Sequence, residues 1–422
     1  LQKAAAAQAA AAFFFARTMT VSTTRQQAWL HRFALLTALG TLGLVGLGGL
    51  VTSHGVGMAV PDWPTSYGYN MFALPVSLWL TGGIFHEHTH RLWASLVGIL
   101  VVVLTRWLGG KKAQLPLLVI GLVEILAGIG LLRLGADWKG AGHFLAGIGG
   151  VVCLVGMVWL RNAAAPGRLP TLGWIAFGLV QLQGLLGGLR VVLDAGDLAG
   201  IRLGTLLGIF HGCLGQLFLA LVAVIAFMTG RWWSQPPERI TSLQARPWFV
   251  TATVLVFVQL LIGATMRHQH AGLSIPDFPL AYGALWPDMS ATAVAEYNLK
   301  RIEVTAANPI TGFQIGLQMT HRLLALLLLA TVALCVGMSR DRGLRRLAKF
   351  WLGLILVQAA LGAWTIWSNK AADVATAHVV VGALSFVTGV LGCLIYFRRR
   401  VRDEAPGPAG KSTSDLTRSV AA

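Results

Sequence analysis

Ten apolar runs of about 20 residues, the length an α-helix needs to cross a bilayer, dominate this chain of 422 residues. They lie at roughly 33–53, 82–107, 115–134, 141–160, 171–193, 203–229, 247–266, 311–338, 346–367 and 375–397. In hydrocarbon every backbone polar group must be satisfied internally, so continuous runs of this length are helices. Hydrophobic residues make up 55% of the chain and charged ones 12%, and the mean hydropathy is +0.68. The expected fold is an all-α integral membrane protein with about ten transmembrane helices.

Charge orients the bundle. With the N-terminus inside, the inner loops collect most of the Lys and Arg, among them Lys111, Lys112, Arg231, Arg340, Arg345, Arg346 and Arg398 to Arg400. The positive-inside bias therefore puts both termini in the cytoplasm of a cell whose inner (plasma) membrane the chain spans many times. Basic inner loops facing anionic membrane lipid account for the formal charge of +17, and no nucleic acid is expected as partner. Cys153, Cys213, Cys335 and Cys393 all fall inside spans, with no CxxC or CxxCH motif, so neither a disulfide framework nor covalent heme attachment is expected. Residues 1–28 read as a low-complexity N-terminal segment and 401–422 as a disordered tail.

Within this frame one string occurs twice. Glu87-His88-Thr89-His90-Arg91 and Gln318-Met319-Thr320-His321-Arg322 each lead into a long apolar helix. Matching loops precede them, Pro61-Asp62-Trp63-Pro64…Tyr67-Gly68 and Pro276-Asp277-Phe278-Pro279…Tyr282-Gly283. Further on, Gln183-Gly184-Leu185-Leu186-Gly187 leads to His211, and Gln358-Ala359-Ala360-Leu361-Gly362 leads to His378. The chain thus divides into parallel repeats at 29–240 and 241–400, related by an axis along the membrane normal. Between its two histidines the first repeat is longer by a helix pair, at about 115–160. That pair contains Glu124…Gly128 followed by His143, either a local duplication or the chance likeness of Leu/Gly/Ala-rich helices.

Ionisable side chains at membrane depth point to function. At about 1.5 Å rise per residue, His90 and His321 lie roughly 12–15 Å below the outer helix ends, and His211 and His378 roughly 5–12 Å. One histidine from each of two helices, at similar depth, is the geometry of two axial ligands on a flat cofactor. Two imidazoles, no thiolate set and Gly/Ala-rich helix faces suit heme iron better than zinc.

The repeats differ three residues before the first histidine, at Glu87 in one and Gln318 in the other. That spacing puts the side chain on the ligand's face. A carboxylate beside one site suits proton-coupled chemistry, while the amide suits a resident electron carrier. The alternative is that Glu87 lies solvated among the headgroups. Arg91 and Arg322 are candidate propionate contacts, or helix-end arginines that snorkel to the surface.

Together these motifs resemble the heme A synthase family, from about Gly40 to Ile395 apart from the helix pair. The resemblance implies an eight-helix core of two four-helix repeats that oxidises a ring methyl of heme O to a formyl group. The route it implies is two hydroxylations and loss of water, with water as the oxygen source. It makes His321 and His378 the ligands of a heme b cofactor, His90 and His211 the ligands of the substrate heme O, and Glu87 the essential acid. It also implies that electrons leave through heme b to an acceptor the sequence does not name. Heme O synthase, cytochrome oxidase assembly factors and a second copy of the chain are the expected partners. The chain departs from many bacterial members in lacking a cysteine pair between Ser53 and Thr81.

Two other classes compete: a bis-histidine electron-transfer cytochrome without substrate chemistry, and a parallel-repeat transporter. The Glu87/Gln318 asymmetry argues against the first, and the absence of proline from the histidine-bearing helices against the second. His143 competes with His211 as ligand, and the Gln183 to Gly188 helix favours His211. His88 is expected to point away from the His90 face, and His86 to share it. His54 and His268 occupy matched helix ends. All four are read as solvated surface histidines, and His31 as cytoplasmic.

Overall fold

The apolar runs fold as helices close to their expected limits. The computed structural model describes residues 2–135, 138–158, 162–198, 200–235, 242–305 and 309–398; the tail at 401–422 lies outside them. Helix α1 (Gln2–Ser53) contributes the first span over Gln26–Ser53. After the short α2 (Val76–Trp79) come α3 (Gly82–Gly109), α4 (Gln114–Arg133), α5 (Lys139–Met157) and α6 (Leu169–Val192). A two-stranded turn, β1 (Asp197–Leu198) and β2 (Ile201–Arg202), leads into α7 (Leu203–Thr229). The short α8 (Arg231–Ser234) precedes α9 (Arg246–His268), and the surface helix α10 (Ala291–Thr305) precedes α11 (Gly312–Met338). Helices α12 (Arg342–Trp367) and α13 (Ala372–Arg398) complete the bundle.

Helices α3 and α4 form one apolar stretch of 52 residues, Gly82–Arg133. At about 1.5 Å per residue, a straight helix of that length would far exceed a hydrocarbon core of about 30 Å. Gly110, at φ 55°, turns the chain back. A Cβ there would stand 2.6–2.8 Å from backbone atoms of Asn162, Ala163 and Ala164, so glycine is required on both counts. Buried Arg106 ties the turn by donating to the carbonyls of Gly110 (2.5 Å) and Val158 (3.2 Å). Counting α3 and α4 separately gives ten spans among the described residues.

Two four-helix rings result. Helices α1, α3, α6 and α7 each pack on the next and close, and α9, α11, α12 and α13 do the same. The first is filled by residues such as Val97, Leu104, Phe218 and Ile225, and the second by Phe249, Val332, Trp351 and Tyr396. The rings meet through α1 and α7 on one side and α9 and α13 on the other. Outer faces carry exposed Leu39, Leu126 and Leu326, as lipid-facing helices do.

The α4–α5 pair stands outside the first ring. Its helices interlock through glycines: a Cβ on Gly121, Gly128, Gly142 or Gly149 would come within 2.5–2.8 Å of the partner helix's atoms. The pair docks on α3 and α6 through Val102, Leu117, Val152 and Phe177, and Gln181 of α6 donates to Glu124 at 2.6 Å.

Candidate functional site

The matching outer loops fold alike. Asp62 accepts from the N–H groups of Tyr67 (2.7 Å) and Gly68 (2.9 Å); Asp277 accepts from those of Tyr282 (2.7 Å) and Gly283 (2.9 Å). Tyr67 and Tyr282 share φ 53°, and the Trp63–Pro64 and Phe278–Pro279 peptides are both cis. Burial works against the charge of Asp62, but the Gly68 N–H, the Thr65 hydroxyl and the Tyr67 N–H outweigh it and hold the carboxyl below its ordinary range.

Each loop is fastened to the helix that follows it. Glu87 Oε2 accepts from the Val60 N–H at 2.8 Å, and Gln318 Oε1 accepts from the Ile275 N–H at 2.7 Å. Arg91 donates to the carbonyls of Val60 (2.7 Å), Asp62 (2.7 Å) and Thr65 (3.1 Å); Arg322 donates to those of Leu280 (2.9 Å) and Asp277 (2.7 Å). The arginines anticipated as propionate contacts thus direct their terminal nitrogens at their own loops. Glu87 is neither solvated nor unpaired: it is 4% exposed and bonds Arg91 at 2.7 Å. Gln318 has Ser274 in place of that charge, at 2.7 Å.

Below the loops stand the four histidines. At about 1.5 Å per residue, His90, His321, His211 and His378 lie roughly 12, 13.5, 12 and 9 Å inside their helix starts, so they share a level. Each packs its Cε1 edge on a glycine of the neighbouring helix: His90 on Gly48, His211 on Gly187, His321 on Gly263 and His378 on Gly362. A Cβ on any of the four would stand 3.2–3.4 Å from that edge. The Nδ1 atoms of His90 and His321 are buried without a hydrogen-bond partner among the described residues. Nδ1 of His378 meets the Gln358 carbonyl at 3.1 Å.

His321 and His378 face each other with ring centroids 6.4 Å apart. With a metal–imidazole bond of roughly 2 Å, rings on opposite sides of one ion have centroids roughly 6 Å apart. Among the described residues no three His, Cys, Asp or Glu side chains form a metal cage. Paired imidazoles alone suit a metal whose other ligands come from a planar macrocycle. In the first ring, His211 and Arg190 are both electrostatic neighbours of His90.

The cradle predicts a mutant. Gly362→Val adds branched carbons against the His378 ring and should displace it, so the variant should remain folded by circular dichroism yet no longer hold a metal centre between His321 and His378. An unchanged visible absorption spectrum and metal content in this variant would show that the close approach is not needed.

The remaining histidines divide. His143 is exposed, with Nδ1 on the carbonyl of Lys139, its own helix neighbour, at 2.9 Å; it does not reach the first ring's interior. Two expected surface histidines, His88 and His268, are corrected. His88 is 1% exposed and holds the first loop, with Ser66 at 3.3 Å and Trp79 edge-on. His268 wedges between the rings, where a Cβ on Gly208 of α7 would be 2.4 Å from its Cε1. His86 stacks on His54 at 4.4 Å, tying α3 to the end of α1. His31 joins α1 to α7 through the Ala226 carbonyl at 2.9 Å.

Comparison with known proteins adds a family. Residues 138–390 match the COX15-CtaA family, described as cytochrome oxidase assembly protein. The match takes in α5, His211, His321 and His378, while Glu87 and His90 precede it. The chain is 29% identical over 260 residues to a heme A synthase of Caulobacter sp. (strain K31), covering 60% of this chain and 70% of that protein. It is 30% identical over 280 residues to one from Bradyrhizobium sp. (strain ORS 278), covering 63% and 70%. Likeness to the heme A synthase of Geobacillus kaustophilus (strain HTA426) is 23% over 402 residues, covering 92% and 99%.

Proposed function

The chain belongs to the COX15-CtaA family of cytochrome oxidase assembly proteins, and from that premise we propose that it is a heme A synthase, an oxidoreductase converting a ring methyl of heme O to a formyl group. The observation that carries the proposal is the paired histidines, one pair to a ring, each imidazole seated on a glycine. In this reading His321 and His378 hold heme b, and His90 and His211 hold heme O as substrate. The 6.4 Å spacing of the second pair supports the first of these assignments. Heme b, when bound, supplies one-electron transfer and an outlet for the electrons released.

Methyl plus one water yields formyl, four protons and four electrons, so the substrate site needs a proton acceptor. Glu87 serves as that acceptor, one turn from His90 on the same helix face. Its bonds to Val60 and Arg91 keep it oriented. The glycine cradles orient the imidazoles. The enzyme works in the cell inner membrane with both termini cytoplasmic, beside heme O synthase and oxidase assembly factors, and delivers electrons to a membrane acceptor.

In a host that makes heme O but no heme A, extracted pigment should contain heme A together with heme b. Heme b alone would leave an electron carrier and end the proposal. His143→Ala should yield heme A like the wild type, whereas His211→Ala should leave heme O unconverted.

A further inference from the structure

Arg190 stands in the last turn of α6, and its guanidinium lies over Gly57, where a Cβ would come within 2.6 Å of it. Its electrostatic neighbours are the carboxylates of Glu87 on α3 and Asp194 just beyond α6, and it acts in turn on His90, on His211 of α7 and on His268 of α9. Four other arginines at helix ends or interiors meet protein acceptors. Arg91 has loop carbonyls and Glu87, Arg106 has Gly110 and Val158, Arg267 has the Gly49 carbonyl (2.9 Å) and the Ser53 hydroxyl, and Arg322 has Leu280 and Asp277. Arg190 makes no hydrogen bond and no ion pair among the described residues. Glu87 is already bound to Arg91 at 2.7 Å.

A largely desolvated guanidinium offers five donors and a charge that require an acceptor. The repeat shows that this cation is particular to one ring. The register that aligns Asp62 with Asp277 puts Thr52 opposite Arg267, and the register that aligns Gln183 with Gln358 puts Thr365 opposite Arg190. The second ring's arginine is bound to α1, whereas the first ring's lies near the two histidines, Glu87 and Asp194 without a hydrogen bond among the described residues.

We propose that Arg190 binds a carboxylate on the edge of the porphyrin substrate. It thereby fixes which way round the macrocycle lies between His90 and His211 and which methyl meets Glu87. A planar, bidentate carboxylate partner is what the guanidinium fork matches best. This rests on the reading of the first ring as the substrate site. A lipid phosphate reaching down from the outer leaflet would offer the same chemistry, so the test separates the two.

Full-length protein carrying its resident heme, in phosphatidylcholine nanodiscs, is titrated with hemin and with hemin dimethyl ester. Wild type should prefer the free acid by about 10- to 100-fold, the worth of one charge-assisted contact. Arg190→Gln should bind both with the ester's affinity, and Arg190→Lys should recover part of the preference. An unchanged resident-heme spectrum reports that the variants are folded. Preference kept in Arg190→Gln would overturn the assignment while leaving the substrate-site reading intact. Equal affinity in wild type, with acid uptake suppressed by phosphatidylglycerol, would overturn it in favour of the lipid phosphate. Failure of wild type to take up any second heme would remove the substrate-site reading itself, and this proposal with it.

Discussion

Alanine at His321 or His378 is expected to abolish the low-spin heme b spectrum and, with it, all formation of heme A. Each residue supplies one of two imidazoles whose centroids stand 6.4 Å apart in the second ring. The Gln358 carbonyl beside Nδ1 of His378 favours the tautomer that leaves Nε2 free to bind metal. His90→Ala should behave differently: the resident spectrum stays and heme O goes unconverted, because His90 lines the other ring. Absorption spectra of the purified variants, with chromatography of their extracted hemes, check both halves of this expectation. Heme b kept in His378→Ala and lost in His90→Ala would exchange the roles of the rings.

Glu87→Gln should fold, insert and keep heme b, yet lower heme A production by about 100- to 10,000-fold, the range associated with a general acid or base. The second ring shows why folding survives. There Gln318 accepts the Ile275 N–H at 2.7 Å, the bond Glu87 makes to Val60, and Arg322 is held by the loop carbonyls of Leu280 and Asp277. Arg91 would lose one charged acceptor and keep the carbonyls of Val60, Asp62 and Thr65, so the stability loss should stay within about 1.5–3 kcal/mol. Extracted pigment should hold heme O or a hydroxylated intermediate. A normal yield of heme A from folded Glu87→Gln protein would show that the carboxylate only fastens the loop.

Much of this architecture was legible because apolar length and repetition are properties of the chain itself. The run expected at 203–229 is the helix Leu203–Thr229, and the expected helix pair at 115–160 is the α4–α5 pair outside the first ring. Helix α10 went unread because it lies on the surface and has no apolar run for a span-length window to find. The glycine cradles depend on which residues of different helices meet, and no periodicity along one helix encodes that. His268 reads from sequence as a helix end near water, but the second ring presses that end against α7. The Glu87–Arg91 pair was available, since i, i+4 is the spacing of a helical ion pair. Arg190 gave no signal of its own, because an arginine in the last turn of a span ordinarily snorkels to the headgroups.

The position of α4 and α5 also bears on traffic. By docking on α3 and α6 they wall off that flank of the first ring, and α1 and α7 are turned towards the second ring. The α1–α3 and α6–α7 seams are left facing the bilayer. An apolar molecule moving between the lipid and the interior of the first ring would pass one of these two seams, on opposite flanks of one ring.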